Sequence, residues 1–487
     1  MKAFKILSLS ATCLIAALAA ALIPINIFCA NFPAWVTILL SAVFCGKLIS
    51  YLICYKTKLI TKIILPLAFG TIALFCSLFP YAVPYWNSYS FKNYSGTVLG
   101  YDEIISYETA KKDLSTLKNY LKHTHPKFRD GLTVEVENAF NLSFDRLRGA
   151  DEITVNGLRR EIQSILHIIG DAHTTTYNDY PNDRYLKTIP QKYSQGYDIT
   201  AINGKTVKTI IDDIKPYYCY EAESWISIDL GSLATLDFLQ MQEPFTYEWT
   251  NGDSIIEEAY TEDDFVDWTE FLNIRDKYTE NEASASNEFV YYVIDEHRSL
   301  AVLTLSQCEY NQEYVDCLNQ MFTEVKQKNI KTVAVDLRGN GGGNSQVGNE
   351  FLKYLPIESY TDGPFDWRWG FLNFHNDGKK SNIKYDNLTF EGNVFALTDS
   401  YSFSAAKDFA MLLQDNGLGK VIGEPSANSV NGYGEIASFY LPNTGLYVQI
   451  STKKWYRIDG GNSDEFVMPD YPCESANCFT TLYDIID

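Results

Sequence analysis

Residues 393–424 read NVFALTDSYSFSAAKDFAMLLQDNGLGKVIGE, a strand pattern followed by a turn and a helix pattern. The first residues of this stretch, 393–397, are typical of a short buried strand, and apolar residues then recur at helical spacing. These apolar positions are Ala405, Ala406, Phe409, Leu412 and Leu413. Ser404 stands where the helix begins, beside free backbone N–H groups and the positive end of the helix dipole. Ser404 is therefore either a nucleophile, whose oxyanion those groups stabilise, or only an N-cap.

A second stretch, KTVAVDLRGNGGG over residues 331–343, is a hydrophobic strand that ends in glycines. Three consecutive glycines cost chain entropy on folding. They suit a place where the backbone approaches a ligand closely, or where N–H groups point into a site. This second stretch therefore favours a nucleophilic role for Ser404.

Together the two stretches resemble the serine peptidases of the C-terminal processing and tricorn type, which share a crotonase-like core. That family carries a DLRxNxGG strand and loop, here residues 336–343, and further along a strand followed by an S-A-x-E-like helix start, here residues 404–407. The resemblance implies that Ser404 is the nucleophile. It also implies an oxyanion hole at the N–H groups of Gly342, or a neighbouring glycine, and Ala405.

A histidine for such a site follows the second of two predicted helices. Apolar positions at helical spacing predict helices over Tyr107–Leu121 and Thr154–Ile169, and the second leads into the segment GDAHT of residues 170–174. Relatives of the tricorn type have a helical start with a His-Pro pair, here at residues 125–126, and end it with a G-D-x-H-T segment that carries the catalytic histidine. The resemblance therefore implies that His173 is the general base.

The two branches of the family differ in their base. Processing proteases use a lysine at the position that falls on Ser429 here, so a Ser/Lys mechanism is disfavoured. The tricorn branch uses Ser and His, supported by a second serine and a glutamate, and Glu465 or else Asp464 matches that glutamate. Ala172 stands where the second serine precedes the histidine, so the residue that orients His173 is left open.

Two rival functions also stay open. The residues SAAK at 404–407 fit the S-x-x-K motif of penicillin-binding proteins and β-lactamases, and SVN at 429–431 fits S-x-N, but the separation is short and no K-T-G follows. The other rival is a non-catalytic ligand- or peptide-binding protein on the same fold. The presence of both Ser404 and His173 favours a serine peptidase that cleaves polypeptides through a Ser404 acyl-enzyme.

The predicted fold class is α/β. The resemblance implies a helical N-terminal subdomain over residues 101–175, a cap or remnant of a PDZ-like module over 176–285, and an α/β peptidase core over 286–487. Alternating strand and helix patterns fit such a core. Residues 247–260 predict a hairpin around an Asn-Gly turn. The aromatic residues 345–392 either line a substrate groove or form a surface subdomain.

Charge and cysteine content exclude some functions. Residues 1–100 contain seven Lys and no acidic residue, so 33 basic against 61 acidic residues leave residues 101–487 with a net charge of −28. Such acidity disfavours nucleic acid as a partner. No CxxC pair or Cys/His cluster indicates a metal site, and no cofactor is predicted. Cys473 and Cys478 are close enough in sequence for a disulfide in an oxidising compartment.

Residues 1–90 predict a membrane region. Residues 6–28, 33–54 and 63–84 are apolar stretches of the length that spans a bilayer, which predicts three transmembrane helices. Lysines flank these stretches on one side, at Lys2, Lys5, Lys56, Lys58 and Lys62. The positive-inside rule then places the N-terminus in the cytoplasm and everything after an odd number of spans outside it. The sequence thus predicts a multi-pass cell-membrane peptidase that acts on extracytoplasmic polypeptides.

Overall fold

The computed structural model describes residues 42, 43, 46, 49, 64, 71, 94–177, 180–279, 288–369, 372–459 and 461–487. From Tyr107 onward the helices are α1 (Tyr107–Thr124), α2 (Val134–Gly149), α3 (Val155–His167), α4 (Ile189–Ser194), α5 (Val207–Ile214), α6 (Leu233–Phe238), α7 (Trp268–Thr279), α8 (Gln312–Gln327), α9 (Gln346–Leu352), α10 (Ala405–Asp415) and α11 (Cys478–Ile486).

The strands follow the same chain order. They are β1 (Thr175–Thr176), β2 (Arg184–Leu186), β3 (Asp198–Ile202), β4 (Lys205–Thr206), β5 (Phe245–Asn251), β6 (Ser254–Tyr260), β7 (Phe265–Asp267), β8 (Val290–Asp295), β9 (Leu300–Leu305), β10 (Thr332–Asp336), β11 (Ser359–Thr361), β12 (Phe365–Trp369), β13 (Leu372–Asn376), β14 (Lys379–Ser381), β15 (Asn393–Thr398), β16 (Lys420–Gly423), β17 (Tyr433–Tyr440), β18 (Tyr447–Trp455) and β19 (Tyr471–Pro472).

The prediction of three transmembrane helices is wrong. Among the residues that the structure describes, no helix is long and apolar enough to cross a membrane. The stretches 6–28, 33–54 and 63–84 lie outside the described residues, apart from a few single positions. Hydropathy reports how readily side chains enter lipid, whereas a span also needs one continuous helix in which every backbone group is paired. The apolar composition of residues 1–90 alone does not meet that second requirement.

A six-stranded sheet forms the C-terminal part of the fold, in the order β19-β16-β15-β10-β9-β8. The strands from β9 to β19 in this sheet run parallel, and β8 pairs antiparallel with β9. The central strand β10, TVAVD, is buried along its whole length, which is typical of parallel strands covered on both faces. Because β10 and β15 are neighbours, the loops after their carboxyl ends meet at one edge of the sheet. The α/β part of the predicted fold class is confirmed.

An antiparallel sheet joins the N-terminal helices to the end of the chain. Its strands lie in the order β1-β18-β12-β13, and β17 also pairs with β18. Pairing of β1 with β18 brings Thr175 opposite Gln449, so the loop between α3 and β1 reaches the C-terminal part of the chain. The strands β12 and β13 extend this sheet, so the aromatic segment 345–392 supplies regular structure as well as loops.

The region of residues 176–285 contains a four-stranded antiparallel sheet in the order β4-β3-β5-β6, and α5 follows β4 directly. The predicted hairpin is present, because β5 and β6 pair along their whole length and Asn251 lies opposite Ser254. Gly252, with a φ of 55°, provides the left-handed turn residue that such a two-residue connection requires.

The two largest of four hydrophobic clusters among the described residues hold most of the fold together. One, the helical core, includes Leu117, Ile162 and Phe439 and packs the N-terminal helices onto β17 and β18. The other, the parallel-sheet core, includes Val333 and Phe409 and packs helices onto the six-stranded sheet. The loops described next lie between these two cores.

Cys473 and Cys478 are free thiols in the structure, with their Sγ atoms 3.9 Å apart. That separation is well beyond the length of an S–S bond, which is about 2 Å. The pair is near enough for oxidation to join it, as the sequence predicts for an oxidising compartment.

Candidate active site

Ser404 occupies the turn between β15 and α10 in a strained conformation. Its φ of 52° and ψ of −121° lie in a region that residues other than glycine rarely adopt, and such strain is concentrated at functional sites. The Ser404 side chain caps no N–H group of α10, and the Ser404 N–H donates to Asn428 Oδ1 over 3.1 Å. The hydroxyl is therefore not used as an N-cap and faces a cavity instead.

The glycine loop after β10 is fixed against the Ser404 turn. The Phe403 N–H donates to Asn340 O over 2.9 Å, and the buried Asn340 side chain accepts from the Gly342 N–H over 2.8 Å. A Cβ atom on Gly342, whose φ is 99°, would lie 2.7 Å from both Phe403 O and Ser404 Cβ. Only glycine therefore lets the loop approach the serine this closely.

The two N–H groups that the resemblance implies as oxyanion donors differ in whether they are free to bind a substrate. The Gly342 N–H is already bonded to Asn340, so it is not available to a substrate. Gly343 and Ala405 line the cavity, and no acceptor for either N–H is found in the part of the chain that the structure describes. Gly343 and Ala405 are thus the better candidates for the oxyanion hole, and Gly342 sets the spacing.

Asp171 organises the loop between α3 and β1 that carries His173. Its carboxylate accepts hydrogen bonds from the His173 N–H at 2.9 Å, Thr174 Oγ1 at 2.5 Å, Ser451 Oγ at 2.7 Å and His125 Nε2 at 3.1 Å. Burial alone would raise the pKa of Asp171, but these partners, His125 foremost, hold it well below its ordinary value. The charged, saturated carboxylate fixes the histidine loop in place.

The His173 ring is mostly buried, and neither ring nitrogen makes a hydrogen bond to any described residue. Its Nδ1 lies 3.8 Å from Asp171 Oδ1, so Asp171 is a carboxylate that faces the ring. Phe403 packs against the ring at 4.7 Å, and Trp225 stacks on Phe403 at 3.9 Å. Burial lowers the pKa of His173 and outweighs the opposing effect of Asp171. The imidazole is therefore neutral at neutral pH and able to accept a proton.

Glu221 belongs to the site, although no sequence pattern indicated it. Its carboxylate accepts from Asn428 Nδ2 over 2.7 Å, from the Ser429 N–H and from the Ala172 N–H over 3.4 Å. Burial, followed by the charge of the neighbouring Asp171, raises the pKa of Glu221 to about 7. Asn428 thus links two functional groups, because its amide donates to Glu221 and accepts from the Ser404 N–H.

Asp171, His173 and Glu221 each place one nitrogen or oxygen atom within 4.8 Å of the other two. Three ligands at such a spacing can hold a metal ion. Both carboxylates, however, already accept several hydrogen bonds from the protein. The arrangement therefore fits carboxylates that orient a histidine better than it fits a metal-ligand set.

Glu465, the supporting glutamate implied by the resemblance, lies away from the histidine. Its side chain is exposed, its backbone carbonyl accepts from the Val430 N–H over 2.9 Å, and it does not line the cavity. The chain enters the core only at Val467, so the preceding residues run along the surface. The structure thus brings Glu221, and not Glu465, to His173.

Lys407 is not arranged as a base. Its buried Nζ lies 2.6 Å from Asp408 Oδ1 and 3.4 Å from Ser429 O. Lys407 also does not line the cavity that Ser404 faces. Ser429, the position of the lysine in the processing branch, donates its N–H to Glu221 instead. Both lysine-based mechanisms are therefore disfavoured.

A cavity of about 1080 Å³ opens onto the candidate site. His173, Ser404 and Gly343 line one part of it, and Trp225 and Arg159 line another. Sites for small molecules commonly measure about 300–1,000 Å³. The volume is therefore large enough for a segment of polypeptide that extends beyond the reacting bond.

Comparisons with known proteins agree with this geometry. The sequence model described as Peptidase family S41 matches residues 299–473. The structure of mature CPAF complexed with lactacystin has a TM-score of 0.52 and 12% identity, over 78% of this chain and 96% of that chain. A serine-to-alanine mutant of CPAF has a TM-score of 0.53 and 11% identity, over 78% and 95%. The structure of the photosystem II D1 C-terminal processing protease has a TM-score of 0.43 and 11% identity, over 77% of this chain and 97% of that chain.

The matched segment begins in β9 and contains the glycine loop and Ser404, whereas His173 lies before it. Structural likeness at this level of identity demonstrates a shared fold, and the family model supplies the identification. The predicted family and the predicted enzyme class are both confirmed. Over residues 299–473 the chain matches Peptidase family S41, and this match supports a serine-type peptidase.

Proposed function

We propose that this peptidase cleaves polypeptides through an acyl-enzyme on Ser404, with His173 as the general base. One observation carries the proposal. Ser404, strained and unused as a helix cap, faces the same cavity as the mostly buried His173, whose ring nitrogens make no hydrogen bond to any described residue. A serine needs such a base, because its hydroxyl is a weak nucleophile until its proton is removed.

The reaction follows from these roles. His173 takes the Ser404 proton as Oγ attacks the peptide carbonyl, and then returns that proton to the leaving amine. Water then attacks the ester by the same route and releases the second product. Ser404 and His173 make no hydrogen bond to each other in the structure, and such bonds often tighten only when substrate is present.

The N–H groups of Gly343 and Ala405 stabilise the negative charge that develops on the carbonyl oxygen. Ala405 is the first residue of α10, so the positive end of the helix dipole adds to this stabilisation. Both donors are held before substrate arrives, because the glycine loop is bonded to the Ser404 turn through Asn340. Fixed donors need no rearrangement at the transition state.

Glu221 acts as the positioning carboxylate for His173. Ionised Glu221 stabilises the imidazolium that forms when His173 takes the proton, as a carboxylate does in serine proteases. The proposal replaces Glu465 in this role, because the Glu465 side chain is exposed, whereas a Glu221 carboxylate oxygen lies within 4.8 Å of a His173 ring nitrogen. Asp171 fixes the loop that carries His173, because its carboxylate accepts from the His173 N–H.

That the substrates are extracytoplasmic polypeptides stays a prediction. Protease added to intact cells should remove the peptidase domain if it lies outside the cytoplasm. Digestion that occurs only after the cells are broken contradicts that location.

Hydrolysis of a peptide library by the full chain tests the proposed function. Wild type should produce new peptide termini, and Ser404→Ala should produce none. Ser400→Ala is a matched control on the same turn and should keep its activity, because no hydrogen bond of the Ser400 hydroxyl is found among the described residues. A Ser404→Ala protein that still cleaves would contradict the proposal.

A further inference from the structure

Arg159 is a half-buried cation in the wall of the cavity that Ser404 and His173 line. It lies on α3, and its side chain lines the cavity together with Tyr217, Tyr218 and Phe238. Its Nε is shielded from solvent and has no hydrogen-bond partner among the described residues. The guanidinium lies 4.6 Å from the Phe238 ring, which is a cation–π contact.

No carboxylate in the described part of the chain forms an ion pair with Arg159. The carboxylate whose charge affects the pKa of Arg159 is that of Asp183, which accepts from Ser232 Oγ at 2.8 Å and from the Ala234 N–H at 3.0 Å. Burial lowers the pKa of Arg159 and outweighs the opposing effects of Asp183 and the neighbouring tyrosines. A guanidinium in this setting lacks the counter-ion that buried charges ordinarily have.

A guanidinium without an ion pair in a cavity wall is suited to an anion supplied from outside. Three carboxylates also line the cavity, but Asp408 is paired with Lys407 and Glu435 with Lys453. The third, Asp229, accepts from the Gly231 N–H over 2.9 Å.

The planar fork of the guanidinium donates two parallel hydrogen bonds to a carboxylate, and exclusion of water strengthens that pair. The surrounding aromatic side chains offer contact to apolar groups on either side of the anion. A polypeptide substrate carries carboxylates at its C-terminus and on Asp and Glu side chains.

We propose that Arg159 binds a carboxylate group of the substrate and so selects peptides that carry one near the cleaved bond. The inference rests on the proposed function, because it treats the cavity as the substrate site. It makes Arg159 a specificity residue, remote from the proton transfers at Ser404. The carboxylate comes either from the substrate C-terminus or from an acidic side chain.

Peptide binding to the full-length Ser404→Ala protein tests this without requiring turnover. The probes are fluorescein-labelled Leu-Ala-Phe-Ala as the free acid, the same peptide as its C-terminal amide, and an amide in which Glu replaces the last Ala. Fluorescence anisotropy gives each Kd. One of the two peptides with a carboxylate should bind at least about 10-fold more tightly than the amide without one.

The variant Arg159→Gln, added to Ser404→Ala, should abolish that preference. Arg160→Gln is the matched control: Arg160 is the next residue and also lies over a ring, Tyr217 at 4.4 Å, but it does not line the cavity. Preference for the free acid identifies the C-terminus as the source, and preference for the Glu peptide identifies the side chain. If Arg159→Gln fails to fold, Arg159→Lys replaces it and should weaken the preference, because lysine cannot donate the paired fork.

Equal binding of the three peptides, or binding of none, would overturn the inference. A carboxylate preference that survives in Arg159→Gln, or is unchanged in Arg159→Lys, would overturn it as well. Fluorophosphonate labelling of Ser404 distinguishes failure of the Arg159 inference from failure of the proposed function. Arg159→Gln with an intact Ser404 should still be labelled, whereas a wild-type protein that is not labelled contradicts the proposed function itself.

Discussion

The nucleophile and the base belong to two differently built halves of the molecule. Ser404 starts a helix of the parallel-sheet core, and the loop that contacts it follows the neighbouring strand β10. His173 follows a helix of the helical core, and its environment comes from residues 125, 171–174, 221 and 451. One half is assembled from two adjacent strands, and the other from four separate segments. The serine half is therefore fixed locally, whereas the histidine half depends on long-range packing.

Few contacts join the two halves at the site. Phe403 packs on His173 at 4.7 Å, and Glu221 accepts from Asn428 Nδ2 over 2.7 Å. Asn428 also accepts from the Ser404 N–H, so it connects the nucleophile to the carboxylate. The alignment of serine and histidine thus depends on contacts between the cores as well as on either core alone.

Removing the base should have the largest effect. We expect His173→Gln to lower kcat/KM for a peptide substrate by at least about 10³, because Ser404 then has no group to accept its proton. The measurement is the rate of peptide cleavage, with circular dichroism to verify folding. His297→Gln is the matched control on an exposed histidine and should keep wild-type activity. A folded His173→Gln protein of near-normal activity contradicts the role of the histidine half.

Changing the carboxylate between the halves should cost less. We expect Glu221→Gln to lower kcat by about 10- to 100-fold, because the base remains but loses its supporting charge. Glu465→Gln is the matched control and should change kcat little, since its side chain is exposed. Steady-state kinetics of the two variants decide between the two glutamates. The opposite order would return the supporting role to Glu465.

The pH dependence distinguishes the two titrating groups. Burial lowers the pKa of His173 below about 6.5 and raises that of Glu221 to about 7. Both act in their deprotonated forms, so activity should be lost in two steps as pH falls, near pH 7 and again below about 6.5. Glu221→Gln should remove only the upper step in a plot of kcat against pH. An upper step that persists in this variant would assign it to another group.

Removing Lys407 should have the smallest effect. We expect Lys407→Met to change kcat/KM by about threefold or less, because the ammonium is held by Asp408 and transfers no proton. Thermal unfolding should report a less stable protein, since Asp408 loses its partner. Cleavage assays of the variant provide the measurement. A loss as large as that of Ser404→Ala would support the S-x-x-K mechanism.

The difference between the halves also explains what could be predicted from the sequence. Ser404 and the glycine loop were recognisable because each is a continuous pattern of strand, turn and helix. Glu221 lies in no such pattern and comes near His173 only through the fold, so it was missed, whereas Glu465 was chosen because the resemblance implies a supporting glutamate in the C-terminal segment. The choice between Gly342 and Gly343 needed hydrogen bonds that residue types do not specify. The membrane helices were predicted from hydropathy alone, which does not establish a continuous helix.

Labelling by a fluorophosphonate tests the pairing of the two halves most directly. The probe reacts with an activated serine, and mass spectrometry of the digested protein locates the adduct. We predict one adduct, on Ser404, formed at a rate that rises with pH and falls at least about 10³-fold in His173→Gln but little in Lys407→Met. An adduct on another residue, or a labelling rate at Ser404 that does not depend on His173, would contradict the account.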